Sequence, residues 1–258
     1  MSIAVDQAEG IARLSSILAV AQRLLIFTGA GISTASGIPD YRGPKGVWNT
    51  RRPVFYQDFM ASREARAEYW KQKAEDREAF RSARPNDVHA AIVALEQAGR
   101  LELLVTQNVD GLHRIAGTSE EALVEIHGTN GRVECQTCGV RSDPTEPFRV
   151  FAETGEPPIC VCGGYLKPAT ISFGQELRQD DLVRSCQAAN RADAAVALGS
   201  TMLVTPAADI PLEAARAGAC YAVINRGPTE HDESPFVTLR IDGDVGAIFP
   251  RAVATALG

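Results

Sequence analysis

Apolar residues recur at helical spacing across AEGIARLSSILAV (8–20), and RLLIFTGA then reads as a buried strand from Arg23 to about Thr28. The same strand-like density returns in LELLVTQN (101–108), in LVEIHG ending at His127–Gly128, in AAVALGS (194–200), CYAVIN (220–225) and VTLRIDG (237–243). Amphipathic stretches separate them: HAAIVALEQAGR, whose Gly99 suits a helix C-cap, a helix around 207–217, and a last one from about Val245 to Leu257. Apolar strands alternating with helices predict an α/β fold with a parallel sheet covered on both faces.

Two stretches break this rhythm. Residues 40–84 are polar and helical after a start rich in turn signals, and residues 131–165 hold cysteines, prolines and glycines. Both read as insertions that together form a smaller second module. Within the first, Arg63 to Arg84 interleaves seven Lys or Arg with five acids, which predicts a solvated helix face laced by i,i+4 pairs.

Composition narrows the function classes. Apolar residues at 45% and charged residues at 22% are those of an ordinary globular protein, and no run approaches the length of a membrane span. The N-terminal MSIAVDQAEGIARL has acids where a signal peptide has a basic start, so the cytoplasm is the expected compartment. A net charge of −6 argues against nucleic acid as a general partner. Six cysteines in such a chain point to metal or redox chemistry, and four of them fall within 28 residues. Cys135-Gln-Thr-Cys138 and Cys160-Val-Cys162, each pair followed by glycine, predict a closed tetrahedral zinc site of structural type. The single residue inside the second pair tightens that turn. Cys186 and Cys220 lie apart and are expected to pack as small hydrophobes.

The candidate chemistry sits at strand ends. Gly29 and Gly31 follow the first strand, where an open parallel sheet receives a phosphate-bearing ligand, and Ser33 or Thr34 can donate to it. Thr34 stands where the dinucleotide fingerprint has its third glycine. A hydride-transferring dehydrogenase also needs a second strand ending in an acid about 20 residues on. Here that region is Asn49-Thr50-Arg51-Arg52-Pro53, with no apolar run before it, and Asn225 is the better candidate for a ribose contact. TQNVDGLH places Thr106, Gln107, Asn108 and Asp110 at one strand end and EIHG places His127 at the next, so these side chains converge on the glycine turn. A neutral imidazole there is suited to taking a proton from a sugar hydroxyl. Asn108 and Asp110 also read as turn formers or a helix N-cap before GLHRIAG.

In this order the pieces resemble the sirtuins, the NAD-dependent protein lysine deacylases, from about residue 20 to residue 257. The resemblance rests on GAGIS (29–33), GIPDYRG (37–43), TQNVDGLH (106–113), HG (127–128), the four cysteines, LKPATISFGQ (166–175) and LGSTMLVTPAADIP (198–211). It implies a Rossmann-like domain of residues 1–39, 85–130 and 166–258. The insertions 40–84, helical with a cofactor loop, and 131–165, bearing zinc, form the small domain. It implies NAD with its diphosphate on Gly29, Ala30, Gly31 and Ser33. Asp40, Tyr41 and Arg42 fall in the loop over the nicotinamide ribose, and Gln107, Asn108 and Asp110 line the ribose and nicotinamide pocket. Gly199, Ser200, Thr201, Asn225 and Arg226 would hold the adenosine half, with Asp244 and Val245 near the adenine. An acyl-lysine peptide would add as a strand against Ser172, Phe173, Gly174 and Gln175. In the family's reaction the acyl oxygen attacks the ribose carbon as nicotinamide leaves. His127 is then the general base on a ribose hydroxyl, and free lysine, nicotinamide and O-acyl-ADP-ribose result.

The chain departs from the pattern at Gln175, where many members carry an acid, and at Gln72, which follows Tyr69 without the guanidinium that pairs an acidic acyl group. Neutral acyl groups are therefore expected. RGPKGVW resembles the branch whose cofactor loop carries a tryptophan, which puts Trp48 near the nicotinamide end. The rival readings are a protein mono-ADP-ribosyltransferase and, from another class, a non-catalytic NAD-sensing or partner-binding module; His127 and Asn108 both favour the deacylase.

Overall fold

A computed structural model describes residues 6–43 and 46–258. Residues 1–5, which open the N-terminal stretch read above, and Pro44–Lys45, inside RGPKGVW, lie outside the described residues. Among the described residues there are nine strands: β1 (Leu24–Thr28), β2 (Leu101–Thr106), β3 (Leu123–Glu125), β4 (Gly128–Cys135), β5 (Arg141–Ser142), β6 (Leu166–Thr170), β7 (Ala194–Leu198), β8 (Cys220–Asn225) and β9 (Leu239–Asp242). The helices are α1 (Gln7–Val20), α2 (Tyr56–Ala61), α3 (Arg63–Ser82), α4 (Asp87–Gln97), α5 (Leu112–Ala116), α6 (Thr145–Thr154), α7 (Gln179–Arg191), α8 (Ile210–Arg216) and α9 (Val245–Leu257).

Six strands form one parallel sheet in the order β3-β2-β1-β7-β8-β9. Every residue of β1 and β7 is buried, as helices on both faces require. Leu24 and Ile26 of β1 join Leu104, Val196 and Ile241 on the face covered by α1, α4 and α9. Leu25 and Phe27 join Val105, Ala197 and Val223 on the other, under α7 and α8. Strand order reverses between β1 and β7, so the crevice beyond their carboxyl ends is the natural ligand position of such a sheet.

The remaining strands build a small antiparallel sheet in the order β5-β4-β6. Its core is Phe59, Tyr69, Trp70, Val133 and Phe148, which fastens α2, α3 and α6 to β4. Trp70 is fully buried, meets Phe148 edge-on at 4.9 Å and donates from Nε1 to Leu166 O at 3.0 Å. The stretch 166–170, which the sequence assigns to the larger unit, thus pairs with β4 in the smaller sheet.

Several expectations need correction. β2 ends at Thr106 and β7 at Leu198, two residues short of their apolar runs. The strand before His127 stops at Glu125, and the imidazole sits in the connection from the large sheet to the small one. Helix α3 holds no i,i+4 ion pair among the described residues. Asp76 instead binds Arg51 at 2.6 Å and Arg63 reaches Glu156, because the helix is packed between other segments and buries Arg66, Tyr69 and Trp70. Cys220 is exposed at the start of β8, where the strand has just entered the sheet, and Cys186 is half-buried on α7.

Beneath the strand ends lies a buried polar chain. Thr28 Oγ1 donates to Thr106 Oγ1 at 2.8 Å, so His113 Nε2, at 3.1 Å, is the donor to Thr28. The His89 ring lies tilted against His113, 4.8 Å between centroids. Burial, aided by His89, pushes the His113 pKa down to about 3. The unfolded value is about 6.5. Between those values the unfolded chain binds a proton that the folded chain refuses, so stability falls as pH falls through that window, by up to about 1.4 kcal/mol per pH unit from this group. His113→Gln is therefore expected to flatten the loss of urea stability between mildly acidic and neutral pH, and an unchanged slope would contradict the assignment.

Candidate active site

The turn after β1 is set by backbone crowding. A Cβ on Gly29 would lie 2.7 Å from Gly199 O, one on Gly31 2.8 Å from Gly199 Cα, and one on Gly199, whose φ is +63°, 2.7 Å from Ile32 N. The three glycines let the loops after β1 and β7 touch, locked by Gly31 N donating to Gly199 O at 2.9 Å. The sequence suggests glycines placed for a ligand; they first serve the approach of two loops, and that approach shapes the rim.

Polar side chains then tie the rim together. Asn108 Nδ2 donates to Gly29 O at 3.1 Å and to Ser33 Oγ at 3.2 Å, while Ser33 Oγ donates to Asp110 Oδ2 at 2.7 Å. The other Asp110 oxygen accepts from Leu112 N at 2.9 Å, so this residue also caps α5 as a turn former would. Gln107 Nε2 donates to Ser200 Oγ at 2.8 Å, joining β2 to the loop after β7. Ala30 opens the short 3-10 turn between Gly29 and Ser33.

His127 sits beside this rim. Its Nδ1 lies 3.3 Å from Gln107 O, a group that only accepts, so Nδ1 carries the proton and Nε2 is bare. Burial pushes its pKa below the ordinary imidazole value; the Gln107 contact opposes this and the Arg42 charge adds to it. The ring is therefore a neutral base near pH 7. His127 O accepts from Ile171 N at 2.7 Å, and Gly128 pairs with Thr170, so the backbone of His127 is bonded directly to the segment that runs into 172–175.

The loop over the site is partly aromatic. Tyr41 stacks on Trp48 at 5.1 Å, and Trp48 tilts against Phe173 at 6.1 Å. Asp40 holds the loop through Gly43 N at 2.8 Å. In the segment 172–175, Ser172 N donates to Gln175 Oε1 at 3.1 Å, while the carbonyls of Phe173 and Gly174 accept from Tyr56 N and Gln57 Nε2 of α2. Those two carbonyls are thus engaged within the chain. Tyr69 bonds Thr170 Oγ1 at 2.8 Å. Burial pushes its phenol up, but Lys167 and Lys73 more than offset this and bring its pKa to about 7. Gln72 instead donates to Arg52 O and Glu68.

At the far end of the crevice the amide of Asn225 donates to Arg226 O and Gly227 O at 3.1 and 3.2 Å. Arg226 pairs with Asp244 at 2.6 Å on the exposed rim, while Val245 is buried in the core and Thr201 O accepts from Glu230 N. The sequence reading missed Arg240, which lies buried beneath this loop. It donates to Asp232 at 2.7 Å and to Asn225 O at 3.1 Å and thereby fixes the turn. It also missed the roles of Thr28, His113 and Lys167; His113 lies inside the motif TQNVDGLH, but nothing local marks its partner.

The four cysteines meet as their spacing predicts. All four sulfurs lie within 4.8 Å of one another, with Cys135–Cys162 at 3.5 Å and Cys138–Cys160 at 3.9 Å. A tetrahedral zinc with bonds of about 2.3 Å separates its sulfurs by ~3.8 Å, so the donor set fits that ion. Gly164 has no room for a side chain, since a Cβ would lie 2.6 Å from Cys135 Sγ.

Comparison with known proteins agrees with this geometry. The profile of the Sir2 family matches residues 29–206. The NAD-dependent protein deacetylase 1 of Bradyrhizobium diazoefficiens is 40% identical over 240 residues, covering 93% of this chain and 94% of that protein. A deacetylase of Rhodopseudomonas palustris is 39% identical over 241 residues, with 93% and 95% covered. A solved Sir2 structure with a deacetylated peptide and 3'-O-acetyl-ADP-ribose superposes with a TM-score of 0.85 at 30% identity, covering 95% of this chain and 97% of that one. Another, described as a basis for the mechanism and regulation of Sir2 enzymes, gives 0.85 at 34% identity over 96% and 98%. With the family profile spanning the glycine turn, His127, the four thiols and the loop after β7, the chain belongs to the Sir2 family.

Proposed function

We propose that this chain is an NAD-dependent protein lysine deacylase whose general base is His127. One observation carries the reading: a neutral imidazole with a bare Nε2 lies on the same rim as Asn108, Ser33, Asp110 and the touching glycine loops. The polar crevice fits a dinucleotide, since it runs from this rim at the switch point to the turn that Arg240 fixes at Asn225. Bound NAD supplies an electrophilic ribose carbon with nicotinamide as its leaving group. Gly29, Ala30, Gly31 and Ser33 hold the diphosphate, and Gly199, Ser200, Thr201, Asn225, Arg226, Asp244 and Val245 the adenosine half. Asp40, Tyr41, Arg42 and Trp48 cover the nicotinamide end, with Gln107, Asn108 and Asp110 beneath. Asn108 orients groups through the amide that already bridges Gly29 and Ser33. His127 Nε2 takes the proton of a ribose hydroxyl, and the buried site keeps water from competing.

The acyl-lysine peptide lies along 172–175, and neutral acyl groups are the substrates. Segments 40–84 and 131–165, together with the flanking strand residues 128–130 and 166–170, act as a smaller domain stapled by zinc, against the larger domain of the other described residues. Zinc closes four thiolates and supplies folding energy only. A free thiol set of this kind needs a reducing compartment, which supports the cytoplasm.

Mass spectrometry of the protein with NAD and acyl-lysine peptides tests the activity: O-acyl-ADP-ribose is expected, whereas a mass gain on protein alone would indicate ADP-ribosyl transfer. His127→Ala should abolish deacylation, by at least about a hundredfold, while keeping zinc and most of the NAD affinity; full turnover would remove the assignment. Because burial and Arg42 lower the His127 pKa, the acid limb of the rate profile should lie below about pH 6.5. Arg42→Gln should move it upward, and a limb that stays put would separate it from this imidazole. Cys135→Ser should lower zinc content and melting temperature together; unchanged values of both would rule out a structural metal.

A further inference from the structure

One cavity meets the deacylase reading only at Asp110. About 280 Å³ of space lies between α3, α6 and residues 130–131 of β4. Phe80, Phe148 and Pro144 give it an apolar floor. Lys73, Arg77 and Arg81, spaced one turn apart on α3, line it with positive charge. The ion pairs of this helix run elsewhere, through Arg51 and Arg63, and none of these three cations has a carboxylate at salt-bridge distance among the described residues. Lys73 Nζ donates to the neutral Asn130 Oδ1 at 3.2 Å, and the Arg77 guanidinium lies 4.3 Å over the Phe148 ring.

Two carboxylates adjoin the cavity, and both are already engaged. Asp110 accepts from Ser33 Oγ and Leu112 N, and Asp143 accepts from Thr145 N. Neither closes on the cations. Burial, with Arg81 adding to it, holds the Arg77 guanidinium below its usual range, while Asp143 pulls more weakly the other way. Planar guanidinium groups above an aromatic floor recognise a carboxylate attached to a flat apolar body. The volume lies just under the range for drug-sized ligands, which limits the occupant to about one ring or a short chain.

We propose that this cavity is a binding site for a small organic anion, an aromatic or short-chain carboxylate, with its acid group between Arg77 and Arg81 and its body on Phe148 and Phe80. Asp110 forms one wall, and its Oδ2 holds Ser33 in the glycine turn, so an occupant abuts the cofactor rim without entering it.

The test needs no turnover and so stands apart from the deacylase reading. Benzene-1,3-dicarboxylate is titrated into the zinc-loaded protein without NAD, followed by calorimetry and by the fluorescence of Trp70, which packs on Phe148. Saturable binding with one site is expected, weakened by about tenfold or more in Arg77→Gln and in Arg81→Gln. Arg81 is exposed, so its variant keeps the fold even if loss of the Arg77–Phe148 contact disturbs the other. Arg149→Gln, which removes a guanidinium paired with Glu146 and Glu153 on the exposed side of α6, should bind like the parent. The neutral diamide of the same ring should not bind. Absence of saturation, binding by both arginine variants as tight as the parent's, or equal binding of the neutral diamide would overturn the proposal.

Discussion

The contact on which the rest of the molecule depends is the backbone meeting of two loops at the centre of the large sheet. Gly31 N donates to Gly199 O, and three glycines leave the space that this bond requires. Parallel strands diverge beyond their ends unless something draws their loops together. Here the draw is a direct peptide contact, and the polar side chains just after β2 fasten onto it. Asn108 reaches Gly29 O and Gln107 reaches Ser200, so the rim is one bonded object assembled from three strands.

That rigidity lets electrostatics be specified without water. Gln107 O orients the His127 ring through Nδ1, while burial and Arg42 keep the ring neutral. Below it the Thr28–Thr106–His113 chain satisfies both threonine hydroxyls and His113 Nε2, while His113 Nδ1 is buried without a partner among the described residues. The smaller sheet lacks a large core of its own: five buried hydrophobic residues hold it, with four thiols set for a metal. Its solution is one available to small, loop-rich modules, in which coordination takes the place of burial.

Much of this was legible along the chain. β1, β7 and β8 are runs of small and branched apolar residues, which only a sheet covered on both faces can absorb. The thiol pairs and the polar strand ends are local patterns and were found where they were read. The missed features are those that need a distant partner. Arg240 and Asn225 meet across neighbouring strands, Lys167 and Tyr69 come from segments nearly a hundred residues apart, and Asp76 turns to Arg51 instead of a neighbour on its own helix. Cys220 illustrates a subtler failure: its apolar surroundings in sequence are real, but it stands at the entry of a strand, where the sheet's helices no longer cover it. The packing of Gly29 and Gly31 against Gly199 was likewise hidden, because sequence shows a missing side chain without showing what occupies its place.

Gly128 follows His127 with φ +72°, and a Cβ there would fall 2.1 Å from Ala169 O. The residue after the imidazole is therefore wedged against β6, the strand that pairs with β4 in the thiol-bearing sheet. Ile171 N, just past β6, bonds His127 O as well, so the backbone that carries the ring is held at two neighbouring points by one segment. A displacement of the small sheet against the large one would act first on that short hinge.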